Sequence, residues 1–177
     1  MSSLAELQKQ LLGEVGLLLH RHGFNPKPVQ QSFRLAKPFG WASIHLAFIR
    51  HPPTDFDVVV NAAIRIDAVE NRIQSNDSLV SARDRKHSAT IGCELGNLKG
   101  IGQQRWTVAS KDDVPSVASS IVAECEATLL PFIEKYSDLD TVLAVLEADT
   151  KFARLLSPIE GKRNKTVSAL AALLMKS

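Results

Sequence analysis

The chain has 177 residues, 21 of them basic and 19 acidic, and its formal net charge of +2 is too small for the electrostatic footprint of a dedicated nucleic-acid binder. With 45% apolar and 23% charged residues the composition lies close to the globular average, which excludes a disordered or fibrous chain. The length suits one domain with a buried core, so the expectation is a single domain over residues 1–177 with a C-terminal helical extension over about 150–177.

From Leu4, apolar residues recur at Leu7, Leu11, Val15, Leu18 and Leu19, the spacing of one apolar stripe along a helix. Gly23 and the prolines Pro26 and Pro28 end it. The period then drops to two, with Val29, Phe33 and Leu35 on one side of an extended segment and Ser32 and Arg34 on the other. After a turn at Lys37-Pro38-Phe39-Gly40, the run Trp41 to Arg50 alternates: Ala42, Ile44, Leu46 and Phe48 point one way, Trp41, Ser43 and His45 the other. A loop over His51 to Asp55 leads to Phe56–Ile66, where Phe56, Val58, Val60, Ala62, Ile64 and Ile66 form the apolar side. Short connections between alternating strands predict an antiparallel meander, because parallel strands need long crossovers.

Asp67 is placed to cap a short helix that carries Val69 and Ile73 inward, and Ser75 to His87 is polar and aperiodic, a long surface loop. Strand patterning returns at Thr90 to Leu95 and around Trp106 and Val108, on either side of a loop from Gly96 to Gln104. The remainder is helical. Asp112 and Asp113 offer a cap for a helix with Val114, Val117, Ile121, Cys125 and Leu129 inward, and Pro131 should break or kink it. Ser137-Asp138-Leu139-Asp140 reads as a variant capping box before Val142, Leu143 and Leu146. A small, apolar helix from Thr166 to Met175 closes the chain, with Gly161 to Lys165 as a hinge. The fold class is therefore α+β: an antiparallel sheet of about five strands packed on one face by N-terminal and C-terminal helices.

The two cysteines, Cys93 and Cys125, lie far apart in a strand and a helix, and read as packed thiols rather than a disulfide or a metal knuckle. The start lacks a basic segment followed by an apolar one, and no apolar run reaches the ~20 residues of a membrane span, so a cytoplasmic location without membrane contact is expected. The five histidines lie on separate elements or helix faces without acidic neighbours at ligand spacing, and neither a metal nor a cofactor is predicted. No nucleophile elbow, paired cleft carboxylates or complete phosphate loop is present; Gly96 to Gly102 lacks the closing Gly-Lys-Ser/Thr.

Strand parity gathers Arg34, Trp41, Ser43, His45, Asn61 and Arg65 on the sheet face opposite the core, with Glu94, Arg105 and Thr107 as further members. Of these, Arg34, Trp41, His45, Asn61 and Arg65 are the predicted ligand-binding residues, since guanidinium groups pair with carboxylates or phosphates and stack on planar groups. A non-catalytic module that binds another protein or a small anionic ligand is the first expectation, weighed against a polar face merely covered by water. An enzyme with His45 as general acid or base and Arg65 holding an anion is the alternative. Nucleic-acid contact through Arg83-Asp84-Arg85-Lys86-His87 and Lys162-Arg163-Asn164-Lys165 comes third, because such clusters are usually solvated loops.

The runs Thr90-Ile91-Gly92-Cys93-Glu94-Leu95-Gly96-Asn97-Leu98 and Arg105-Trp106-Thr107-Val108, with His22-Gly23-Phe24 and Leu130-Pro131-Phe132, resemble a mainly bacterial family of small proteins, domain-of-unknown-function family 4304. The resemblance reaches to about Leu146 and departs at Phe33-Arg34 and in the C-terminal extension. It implies the fold and carries no catalytic residue.

Overall fold

In a computed structural model the described residues are 3–74 and 81–176, with the side chains of residues 82–84 also left out. The fold is α+β: a five-stranded, open, antiparallel sheet with flanking helices. Its strands are β1 (Ser32–Lys37), β2 (Gly40–His51), β3 (Asp55–Ile66), β4 (Ile91–Glu94) and β5 (Trp106–Val108). They run in the order β1-β2-β3-β4, and β5 also pairs with β3. The contacts gather into two compact units, residues 1–36, 43–62 and 94–131, and residues 37–42, 63–93 and 132–177.

The first unit is organised by α1 (Leu4–His20) and α5 (Asp113–Glu124), which pack on each other. Ser3 and Glu6 form a reciprocal capping box that satisfies orphan N–H groups at the head of α1. Leu7, Leu11, Val15 and Leu19 then present a fully buried stripe every three or four residues. Phe33, Ile44, Leu46, Phe56, Val58 and Val60 of the sheet are buried as their predicted parity requires, whereas Phe48 of the same set is only half-buried and Val59, of the opposite parity, is buried too.

Val29 departs from the predicted strand. It is exposed, and its N–H and carbonyl are both bonded to Ser32. Gln30 (φ 51°) and Gln31 (φ 65°) form the two-residue loop of a tight turn. Such a loop needs positive φ at both central positions, for which Asn-Gly is the low-strain pair. Gln30→Asn with Gln31→Gly is therefore expected to stabilise the protein by about 1 kcal/mol, seen as a raised urea midpoint at constant slope.

The predicted loop from Gly96 to Gln104 begins with a helical turn, α4 (Leu95–Leu98). Its cap is the buried Glu94, whose carboxylate accepts from the N–H groups of Gly96, Asn97 and Gln104 at 2.9, 2.8 and 3.0 Å. The helix after Asp112 also differs from expectation. Asp112 makes no capping bond, whereas Asp113 accepts from the N–H groups of Ala109 and Ser110. Pro131 does not end the helix, because a π-helical turn over Cys125–Leu129 precedes it. The wider turn, in which Leu130 N–H donates to Cys125 O, accommodates a ring that would clash with a regular α-helical carbonyl. The helix thus runs for 23 residues, Asp113–Lys135, and by length and composition it could cross a membrane. Its most apolar window has a mean hydropathy of 1.3 and is 39% buried.

The second unit contains α2 (Asp67–Gln74), α3 (Ala82–His87), α6 (Leu130–Lys135) from Phe132 on, α7 (Leu139–Glu147), α8 (Lys151–Leu156) and α9 (Glu160–Leu174). α3 replaces the C-terminal part of the predicted loop Ser75–His87; residues 75–80 of that loop lie outside the described residues. Ile64, Ile66, Val69, Val142, Leu156 and Leu170 are buried, and Tyr136 stacks at a tilt on Phe132 with ring centroids 4.9 Å apart. The cap of α7 is Asp138, which accepts from Thr141 N–H, while Ser137 donates to Ile133 O instead of acting as the box residue. The predicted hinge Gly161–Lys165 lies within the first turns of α9, which packs on α2 and α7.

Candidate functional site

The first unit brings together three of the five predicted ligand-binding residues, Arg34, His45 and Asn61, all half-buried on the sheet face away from the core. Ser32, one strand over from His45, joins them: its Oγ and His45 Nδ1 share a hydrogen bond of 2.8 Å. The sequence marked Ser32 only as an outward residue of β1; its partner follows from the β1–β2 register, which is set by the turn at Pro38-Phe39 between the two strands. Ser43, expected on the same open face, is buried.

No carboxylate pairs with His45 among the described residues, and burial holds its pKa below the ordinary 6.5. The imidazole is therefore neutral at neutral pH, a hydrogen-bonding group held in place by a serine. The sign of the linkage follows. As pH falls through 6.5 the unfolded chain takes up the proton before the folded one, so stability declines from there until His45 itself protonates; above 6.5 the contribution is complete. An NMR titration of the imidazole should give a midpoint below 6.5, and His45→Gln should flatten the fall in stability on acidification. A midpoint above 6.5 would contradict the burial argument.

Trp41 and Arg65 belong to the second unit, and Arg65 departs from its predicted role. It is 5% exposed and its guanidinium is used up by the protein. Nε donates to Asp67 at 2.6 Å, Nη1 to the carbonyls of Arg85 and Ser88 and to Ser88 Oγ at 2.7, 2.9 and 2.7 Å, and Nη2 to Asn71 at 3.4 Å. The end of α3 and the turn before β4 fold over it and supply acceptors that no strand pattern foretells. Neither anion binding nor a catalytic partnership with His45 is left to it. Asp67, expected to cap α2, is occupied by the same pair.

A second polar cluster appears where histidines without acidic neighbours were predicted. His51 Nε2 lies 3.3 Å from Asp57 Oδ2, Thr107 donates to Asp57 Oδ1 at 2.7 Å, and Arg105 Nη1 lies 3.5 Å from the carboxylate. The β3–β5 register, with Asp57 opposite Thr107, creates it. The Thr107 hydroxyl, followed by His51, holds the Asp57 carboxyl below its usual range. Since Asp57 is shared among three partners, it acts as a staple between the β2–β3 hairpin and β5 more than as the orienting acid of a dyad.

The same unit has a cleft of about 850 Å³ bordered by Leu4, Leu7, Pro53 and Ala109, with Glu6 and Lys111 as its charged members. His45 and its neighbours do not line it. Cys93 and Cys125 are both buried thiols outside any disulfide, and burial pushes the Cys125 thiol up to about 12, far from a reactive thiolate. Among the described residues no group of three or more metal-ligating side chains gathers.

The basic run Lys162-Arg163-Asn164-Lys165 is helical, not a solvated loop, and half of it is structural. Lys162 Nζ donates to Ala89 O at 2.5 Å and lies 3.5 Å from the fully buried Glu70. Arg163, also buried, donates to Ser157 O and Asp149 at 2.7 and 2.9 Å. In the other predicted cluster the side chains of Arg83 and Asp84 lie outside the described residues, while Arg85 contributes its carbonyl to Arg65.

The arrangement defines an α+β protein with a polar, half-buried sheet face and no assembled catalytic set among the described residues. No family model matches the chain, and no similar curated protein or solved structure was found.

Proposed function

We propose that this chain is a non-catalytic, cytoplasmic binding module that uses the polar sheet face of its first unit, over Ser32, Arg34, His45 and Asn61, to hold a small anionic ligand. One observation carries the reading: His45 is half-buried and fixed by Ser32 at 2.8 Å, and among the described residues no carboxylate is paired with it. A neutral imidazole held this way donates or accepts a hydrogen bond in a set direction, while Arg34 on the same face brings positive charge. The catalytic alternative is weakened because Arg65, its anion holder, is enclosed by protein acceptors. Nucleic-acid binding loses two of its cations, Lys162 and Arg163, to internal contacts. Membership of the bacterial domain-of-unknown-function family 4304 forms part of this proposal, on the strength of the Thr90–Leu98 and Arg105–Val108 motifs.

An NMR screen of small carboxylates and phosphates against the isotope-labelled chain tests it. Shifts are expected to cluster at Ser32, Arg34, His45 and Asn61 and to vanish in His45→Ala, with the fold retained. Shifts confined to the cleft of Leu4, Pro53 and Lys111, or unchanged in His45→Ala, would defeat the proposal.

A further inference from the structure

We infer that the open sheet face of the first unit binds a linear dicarboxylate, laid along β3 with one end at His45 and Asn61 and the other at Arg105 and His51. This ligand class rests on the anion-binding role proposed above for the same face.

Strand parity assembles the face. With Leu46, Val58 and Val60 fully buried, Ala47, Ile49 and His51 of β2 share the opposite side with His45, and Asp57 and Val59 of β3 share it with Asn61. Thr107 of β5 faces the same way, since its hydroxyl donates to Asp57 Oδ1 at 2.7 Å. All of these residues belong to the first unit. The face therefore has two polar ends. Between them along the strands lie Ala47 and Ile49, both half-buried, and the buried Val59.

At the first end, Ser32 holds His45 through Nδ1, and the half-buried Asn61 makes no hydrogen bond among the described residues. With Ser32 donating to Nδ1, the Nε2–H of His45 and the Asn61 amide are two donors for one carboxylate. At the second end, Asp57 orients its neighbours. Its Oδ2 lies 3.3 Å from His51 Nε2 and 3.5 Å from Arg105 Nη1, while Gln103 accepts from Arg105 Nε at 2.9 Å. The guanidinium is anchored through Nε and Nη1, and its Nη2, like His51 Nδ1, makes no hydrogen bond among the described residues. Both side chains reach solvent, Arg105 at 48% and His51 at 45% exposure, so that edge can take a carboxylate.

The spacing sets the length of the ligand. Asn61 and Asp57 are four residues apart, roughly 13 Å along an extended strand, which a chain of about ten carbons spans. Its methylenes would cover Ala47 and Ile49, apolar surface that a short anion leaves in water.

Decanedioate, decanoate, butanedioate and decane-1,10-diol, titrated into the isotope-labelled full chain at low salt, form the test. Decanedioate should shift the amide resonances of His45, Ile49, Asn61 and Arg105 together. It should bind about tenfold more tightly than decanoate, the worth of one charge-assisted contact. Arg105→Gln should abolish that advantage and leave decanoate binding as in wild type. Decanoate or butanedioate binding as tightly as decanedioate, an equal response to the uncharged diol, or an advantage that survives Arg105→Gln would each overturn the two-ended site. If butanedioate then still shifts Ser32, His45 and Asn61, the function proposed above stands and only the ligand class falls; if none of the four probes shifts His45, both fall.

Discussion

Arg65→Met is expected to lower the unfolding free energy by roughly 3 kcal/mol, read as a fall in the urea midpoint at constant slope. The magnitude comes from what the guanidinium leaves behind. The Ser88 carbonyl would lose its donor, while the Arg85 carbonyl would keep only Ser88 Oγ and Ser88 Oγ only Gln74, in a place that is at least partly closed to water. Each such group left without a partner costs about 1–3 kcal/mol. The ion pair with Asp67 contributes less, because that carboxylate is 53% exposed and can be rehydrated when its partner goes. Asp67→Asn should accordingly cost no more than about 1 kcal/mol. Arg65→Lys should not rescue, since an ammonium lacks the planar fork that reaches Asp67 on one edge and two carbonyls on another. A change within about 0.5 kcal/mol of wild type in Arg65→Met would mean that the enclosure is not structural, and would return this arginine to the ligand-binding candidates.

Two glycines of α1 should respond to alanine with opposite signs. Helix propensity favours both changes by about 1 kcal/mol, because alanine restricts the unfolded chain and lacks the backbone freedom of glycine. At Gly13 nothing lies within 4 Å of the added methyl, so the gain should appear undiminished. At Gly16 the same methyl would sit 2.3 Å from Pro26 O and 2.9 Å from Phe33 Cε1. Phe33 is a fully buried ring and Pro26 O is backbone, so neither can yield without displacing the segment that leads into β1. Overpacking of this kind costs about 1–3 kcal/mol or more, and a net loss of roughly 2 kcal/mol is expected for Gly16→Ala. Thermal unfolding of the two variants side by side provides the measurement. Equal stabilisation of both would mean that α1 does not approach the 26–33 segment as closely as described.

The contrast between these glycines also separates the local from the long-range information in the chain. Period and parity suffice for α1, β2 and β3, where Leu11, Leu46 and Val60 are completely buried as their spacing requires, since a side chain's direction along a strand or helix is a property of the backbone geometry alone. The same rule places His45, Asn61 and Arg65 on the opposite face. It cannot say which of them meets water. Arg65 is enclosed by acceptors at Arg85 and Ser88, twenty or more residues further on, and His45 meets Ser32 across the β1–β2 pairing that the Pro38-Phe39 turn closes.

Helix ends and turns were less legible than helix interiors. Pro131 reads as a breaker in a regular helix, yet one π-turn suffices to carry the chain past it, because the clash depends on a carbonyl position that the wider turn shifts. Asp138, rather than Ser137, caps α7, since both are competent acceptors and only the path of the preceding helix decides between them.

Taken alone, the order of amino acids determined the α+β class, the strands with their inward and outward faces, and the principal helices, all of which rest on short-range periodicity and backbone sterics. Tertiary structure alone decided the pairing of Ser32 with His45, the sharing of Asp57, and the loss of Arg65, Lys162 and Arg163 to internal contacts. The physical reason is that a hydrogen bond or a cavity requires two groups within a few ångströms, and which distant residues come that close is set by how whole elements pack.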